Sequence, residues 1–222
     1  MNFAQKAIYF YLDLGKGNSL PENVEIINPY DENKVKETTK KFFKKYYDDD
    51  KPRTFIFGIN PGRFGCRTTG IAFTDPVALR ESCGIENDLG FRRELSSQFI
   101  YEMIKEYGGA NRFFSKIFVT AVYPLALIKD GKNHNYYDSK KLYEVLKSEI
   151  KKSISSQINF GARKEFAVSL GKKNAIFLSE INQELGYFKE IKVLEHPRYI
   201  MQYRRKKLKE YIRKYVQLLK TT

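Results

Sequence analysis

Tryptophan is missing from this 222-residue chain, and histidine and cysteine occur twice each, as His134, His196, Cys66 and Cys83. With so few, no Cys/His cluster has the spacing of a zinc site, so no metal is expected. The two cysteines could pair, but a chain that reads as unexported favours reduced thiols. Residues 1–17, MNFAQKAIYFYLDLGKG, lack a basic leader and a small-residue cleavage site, and Asp13 interrupts their short apolar part. The expectation is therefore a cytoplasmic protein. No apolar run approaches the ~18 residues a bilayer crossing requires, so no membrane is expected. The standard phosphate cradles are absent too. Without GxxxxGKS/T, or GxGxxG after a strand, P-loop and dinucleotide chemistry are set aside. Without a GxSxG elbow, a serine triad has no local support.

Acidic residues are also in deficit. Lys and Arg number 40 against 26 Asp and Glu, a formal charge of +14. Such an excess suits a polyanion, because each cation placed on a phosphate releases counterions. A solvated basic surface is the plainer explanation of the same numbers. At 42% hydrophobic and 30% charged, the chain reads as globular, with length enough for one core and a single domain over residues 1–222.

What is present centres on Thr54 to Phe73, TFIFGINPGRFGCRTTGIAF. A short apolar run rich in aromatic and β-branched residues, Thr54 to Ile59, reads as a buried strand. It breaks at Asn60-Pro61-Gly62 into a loop with glycines at 62, 65 and 70. Those glycines serve either a close approach of backbone to ligand or a tight strand-to-helix turn capped by Asn60.

Along the chain, residues 2–14 read as an amphipathic helix, 15–32 as a loop, and Asn33 to Tyr47 as a second helix with Asn33 as a possible N-cap. Asp75 to Ser82 (Asp75 the N-cap, Pro76 first) and Ser96 to Tyr107 follow as helices. Ile117 to Val122 is a second strand ending at Tyr123-Pro124. A polar loop, Lys129 to Asp138, leads into a helix from Ser139 to Gln157. Glu165 to Leu170 and Ile191 to Leu194 complete four strands, and a helix opens at Lys172. A long basic helix, Met201 to Leu219, closes the chain. Alternating strands and helices imply a three-layer α/β/α sandwich with a central four-stranded parallel sheet. In it the carboxyl ends of the strands line one crevice, which collects Asn60, the Tyr123-Pro124 turn, Gly171 and His196.

Each candidate has a plain alternative. Cys66 can be a nucleophile with His196, or a small packing residue. His196, between an apolar strand and Pro197, can donate to negative charge on a leaving group, or pack at a strand end. Phe64 and Phe73 can stack on a base, or fill core. Bulky residues in His196-Pro197-Arg198-Tyr199-Ile200-Met201 can wedge into a base stack, or Ile200 and Met201 can simply anchor the last helix. Arg204, Arg205, Lys206, Lys207 and Lys209 can meet phosphates, or form a solvated face.

Gly58-Ile59-Asn60-Pro61-Gly62-Arg63-Phe64-Gly65, followed by Thr69-Gly70-Ile71-Ala72-Phe73, resembles the first motif of the uracil-DNA glycosylase superfamily. The match is to its single-strand-selective monofunctional branch, where the loop reads G-M-N-P-G-P-F-G and ends T-G-V-P-F. His196-Pro197 resembles the start of that family's last motif, and Val168 to Gly171 its third strand. The resemblance implies a monofunctional DNA glycosylase of base excision repair. Such an enzyme works without cofactor or metal, flips a base out, and hydrolyses its N-glycosidic bond to leave an abasic site. Asn60 and His196 would be catalytic, Asn60 holding the attacking water and His196 stabilising the leaving base. Gly62, Phe64, Phe73 and Tyr123 would line the base site, with Gly62 leaving room for a substituent and Phe73 stacking. Arg198, Tyr199, Arg204, Arg205 and Lys206 would face DNA, single-stranded or damaged, and the protein would be a monomer.

Two departures stand out. The family's middle strand carries an Asn that reads the uracil edge, and Ala121 occupies that place. The excised base is thus open, with Lys132 to Asp138 a nearby source of a substitute. The last motif continues Arg198-Tyr199-Ile200 rather than S-P-R, leaving the wedge unassigned. A catalytically inactive single-stranded nucleic-acid binding module is the alternative function, and a nucleosidase for free nucleosides a weaker one.

Overall fold

The computed structural model describes residues 1–15, 20–62 and 65–221. Its centre is a parallel sheet of four strands in the order β3-β2-β6-β7. These are β2 (Thr54–Gly58), β3 (Ile117–Ala121), β6 (Ala167–Leu170) and β7 (Ile191–Leu194). Helices flank it. They are α1 (Phe3–Leu12), α2 (Asn33–Tyr47), α3 (Cys66–Thr69), α4 (Pro76–Glu81), α5 (Leu95–Tyr107), α6 (Ala110–Phe114), α7 (Lys140–Ile158), α8 (Lys172–Leu185), α9 (Pro197–Tyr203) and α10 (Leu208–Leu219). The expected fold class is the one observed.

Local chemistry explains most boundaries. All five residues of β2 are buried, as a central parallel strand covered on both faces requires. α1 starts in a capping box between Asn2 and Gln5. Asp75 caps α4 through the Ala78 amide with Pro76 in the first turn, and Ser139 caps α7 through Leu142. α2 has the expected span, but its cap position is Glu32 and Asn33 is its first helical residue. Without tryptophan, the core is filled by phenylalanine and tyrosine. Phe3 stacks on Tyr47 at 5.3 Å and Phe55 meets Phe118 at 4.8 Å between ring centres.

Two expectations are corrected. The two stretches read as loops contain β1 (Glu25–Ile27) and β5 (Lys132–His134). These flank β4 (Ala126–Lys129), for most of which the sequence predicts no element, in a second, antiparallel sheet of order β1-β4-β5. The closing helix is broken. α9 ends at Arg204, whose backbone leaves the helical region (φ −131°), a short 3-10 turn spans Arg205–Lys207, and α10 begins at Leu208. Four consecutive cations, all exposed, repel along one turn and bring no apolar contact to hold a continuous helix there.

The sheet's carboxyl edge sets the site. Gly58 pairs with Ala121 as the last residues of β2 and β3, and Leu170 with Leu194 at the ends of β6 and β7. Asn60 and His196 each follow two residues later.

Candidate active site

The carboxyl ends of β2, β3 and β7 open onto a cavity of about 660 Å³ lined in part by Asn60, Gly62, Phe73, Ala121, His196 and Arg198. That size falls within the ordinary range for ligand clefts.

Asn60 is held by two backbone hydrogen bonds from one segment. Its Nδ2 donates to the His134 carbonyl at 3.0 Å, and its Oδ1 accepts the Tyr136 N–H at 3.2 Å. Only one orientation of the amide satisfies both, so oxygen and nitrogen are distinguished. One lone pair of Oδ1 and one N–H remain beyond this clamp. The clamping segment is itself bolted down. Tyr136 donates its hydroxyl to Asn174 Oδ1 at 2.8 Å, and the fully buried Asn174 reaches the Phe57 and Gly58 carbonyls at 3.2 Å each. Asn60 is thus fixed relative to the strand that delivers it.

His196 occupies the N-cap of α9, where Nδ1 accepts the Arg198 N–H at 3.2 Å. In the neutral ring the proton then resides on Nε2. Burial, and after it the Arg198 charge, push the imidazole down to about 4, so the neutral form prevails at physiological pH. Such a ring offers a hydrogen bond to developing negative charge without carrying a charge of its own.

Phe73 packs its ring 5.7 Å from that imidazole, centre to centre. Its backbone is left-handed (φ +52°), a conformation that costs a side-chain-bearing residue of order 1–3 kcal/mol and clusters at functional sites. The surroundings impose it. Thr69 Oγ1 donates to the Thr74 carbonyl at 2.6 Å, and the Thr74 amide bonds Ile71 at 3.2 Å. Position 58 must be glycine here, because a Cβ would stand 2.6 Å from the Phe73 ring.

Glu94 enters from the residue before α5. Its carboxylate lies against Gly65, where a Cβ would collide with it, and its backbone N–H is held by buried Asp75 at 2.9 Å. Burial, with Asp75 adding to it against the opposing Arg198 charge, raises its carboxyl above the usual range. Cys66 is half-buried nearby. Burial, then Glu94, push its thiol up to about 12, so it holds no thiolate for nucleophilic work at neutral pH.

The β3 wall presents Thr120 and Ala121. Thr120 Oγ1 bonds the Tyr11 hydroxyl at 2.7 Å and the Gln157 side chain, and Gln157 Nε2 donates to the Ala121 carbonyl at 3.3 Å. Beside Ala121 the cavity is bordered by Asn133, whose Nδ2 would stand 3.6 Å from a Cβ on Gly62.

Asn60, Gly62, Phe73 and His196 therefore share the cavity wall, as do Arg198 and Tyr199 at its mouth. Arg204, Arg205 and Lys206 are exposed beyond α9 without lining it. Phe64 lies outside the described residues. Tyr123 is corrected: it is fully buried, and burial, then the Glu149 charge, raise its phenol. Gly171 is away from the cavity, against the His196 Cβ at 3.6 Å from where its own would be. Ile200 and Met201 are buried, so they anchor α9 and are not wedges. Glu94, Asn133, Tyr136 and Asn174 were missed. Only the polar loop that holds two of them pointed this way. Among the described residues, no group of three His, Cys, Asp or Glu side chains is arranged to hold a metal ion.

The family model of the Uracil DNA glycosylase superfamily matches residues 44–220. The chain belongs to that superfamily. A solved structure titled as the crystal structure of wild-type Pedobacter heparinus SMUG2 is 40% identical and superposes with a TM-score of 0.95, covering 100% of this chain and 98% of that one. The resemblance is thus to the single-strand-selective monofunctional side of the superfamily. Among curated proteins no sequence matches. Members of this superfamily are DNA glycosylases, hydrolases of DNA repair, and membership supports uracil-DNA glycosylase-type activity for the chain.

Proposed function

We propose that the protein is a monofunctional glycosylase that excises uracil or a related deaminated base from single-stranded or damaged DNA, working as a monomer in the cytoplasm. The target base leaves its stack and lies against Phe73. The C1′–N bond breaks, and its electron pair departs with the base. His196 Nε2–H donates to the oxygen on which that charge accumulates. A water held by Asn60 Oδ1 bonds to C1′ and loses a proton that neutralises the departing base anion, leaving an abasic sugar and the free base. Positive charge developing on the sugar is compensated by the strand's own phosphates. The observation that carries this reading is an orientation-locked Asn60 sharing one cavity with a His196 whose Nδ1 is occupied by the Arg198 amide.

Ala121 favours one competing reading, a binding module without turnover, because its side chain offers no hydrogen bond to a base edge. A labelled single-stranded oligonucleotide carrying one deoxyuridine, treated with alkali after incubation, separates them. Strand scission by wild type and its loss in Asn60→Ala is the expected result. If wild type yields no abasic product from uracil, hypoxanthine or xanthine oligonucleotides, the binding module stands instead.

A further inference from the structure

Tyr199 and Tyr203 are among the few large exposed apolar side chains of the molecule, 39% and 67% accessible. They sit one helical turn apart on α9, so they share a face, and their rings lie 5.7 Å apart at 42°. The Arg204 guanidinium is 5.3 Å from the Tyr199 ring centre. Both tyrosines border the cavity that holds Asn60 and His196, and their outward continuation is the exposed cation run Arg204 to Lys207. Among the described residues, neither Arg205 nor Lys206 is paired with a carboxylate. Water-exposed rings beside unpaired cations, continuous with the cavity that holds Asn60 and His196, form neither a core nor a neutralised surface.

We infer that Tyr199 and Tyr203 form a stacking platform for unpaired bases flanking the extruded nucleotide, with Arg205 and Lys206 holding the phosphates of that strand. The inference rests on the reading of the cavity given above. Every base has a π-face, so aromatic platforms bind strands without reading sequence, and an unstacked strand gains most from them. In a duplex the flanking bases already stack on their neighbours. The platform therefore favours single-stranded DNA through geometry outside the cavity.

The test uses fluorescence anisotropy with an undamaged single-stranded oligonucleotide, which reads binding whether or not any base is excised. A Tyr199→Ala/Tyr203→Ala double variant is expected to bind roughly tenfold or more weakly, while Tyr199→Phe/Tyr203→Phe binds as wild type does. The tyrosines are exposed, and an unchanged thermal midpoint confirms that the variants fold. The salt slope of binding stays the same in the alanine variant, because no charge is lost, and becomes shallower in Arg205→Ala/Lys206→Ala. An oligonucleotide of the same length made of abasic spacers throughout keeps the phosphates and removes the partner of the rings, so wild type and the alanine variant converge on it. Undiminished binding by the alanine variant overturns the inference. So does an equal loss on duplex DNA, or an equal loss on the spacer oligonucleotide. Absence of excision by wild type, with the binding pattern as described, leaves the platform standing and removes the glycosylase reading alone.

Discussion

The two ends of the parallel sheet treat their polar groups in opposite ways. At the amino end, Arg53 immediately precedes β2 with none of its surface exposed. Its guanidinium donates to the Phe114, Lys51 and Tyr46 carbonyls and to both oxygens of Asp49, at 2.8 to 3.3 Å. It also lies 4.7 Å and 4.8 Å from the ring centres of Phe3 and Tyr47. Nearly all of its hydrogen-bonding capacity is consumed internally. At the carboxyl end, Asn60 and His196 are each held by backbone contacts that use only part of their capacity. The comparison separates a cation that fastens elements together from polar groups held still so that something else can complete them.

The largest effect that would break this contrast is expected at the bottom of the sheet. Arg53→Ala removes a fully buried guanidinium from three carbonyls and from the partly exposed Asp49 carboxylate, and each buried acceptor left unsatisfied costs about 1–3 kcal/mol. Urea unfolding should show it directly, and glycosylase activity at low temperature should survive in whatever fraction remains folded. Asn60→Ala and His196→Ala should show the inverse pattern. Each is expected to lower kcat by about 10²–10³ with a smaller loss of stability than Arg53→Ala, His196→Ala giving up an N-cap worth about 0.5–2 kcal/mol. A drop in stability as large as that of Arg53→Ala would erase the distinction between the two ends.

Tyr136→Phe sharpens the comparison because it acts at one remove. It removes the hydroxyl that fastens the Asn60 clamp to Asn174 and leaves a buried amide oxygen unpaired, at about 1–3 kcal/mol. As a positioning residue it should reduce kcat by roughly tenfold with KM little changed, whereas an equal rise in KM would assign it to binding. The smallest effect is the position of the acid limb in the pH dependence of kcat/KM. Neutral His196 is required, and its value is lowered from 6.5 to about 4. Activity therefore holds as pH falls through 6.5 and drops only near 4, once the ring gains its proton. A limb at 6.5 would mean that the imidazole is solvated in the free enzyme.

The backbone of the fold was legible because its signals are local. Thr54 to Ile59 and Ile191 to Leu194 are short apolar runs bounded by breakers, and Asp75-Pro76 and Ser139 are helix starts by chemistry alone. β5 was not legible, since Lys-Asn-His has no alternating pattern and its strand exists only through pairing with β4. Asn60 and His196 could be located because a parallel sheet brings its strand ends together regardless of detail. Tyr123 also follows a strand, yet the chain turns after Ala121, with the Val122 and Tyr123 amides bonding Gly58 and Ile59 at 3.0 and 3.1 Å. The alternation of faces that assigns side chains along a strand ends there. Glu94 could not be found at all: its place depends on Gly65 and Asp75 meeting it in space.

The cap that His196 provides ties two events into a single equilibrium. An imidazolium has no lone pair at Nδ1, so the proton that charges the ring must also release the Arg198 amide. A lost N-cap weakens a helix by about 0.5–2 kcal/mol. By reciprocity, any strand that presses α9 firmly onto the protein makes that proton harder to add, and any loosening of α9 makes it easier. If nucleic acid seats on Tyr199 and Tyr203 as proposed, its occupancy and the protonation of His196 are linked through α9. A nitrogen-15 titration on DNA binding would show the His196 transition and the Arg198 amide resonance moving in step, downward where the cap dominates and upward where the strand's phosphates do.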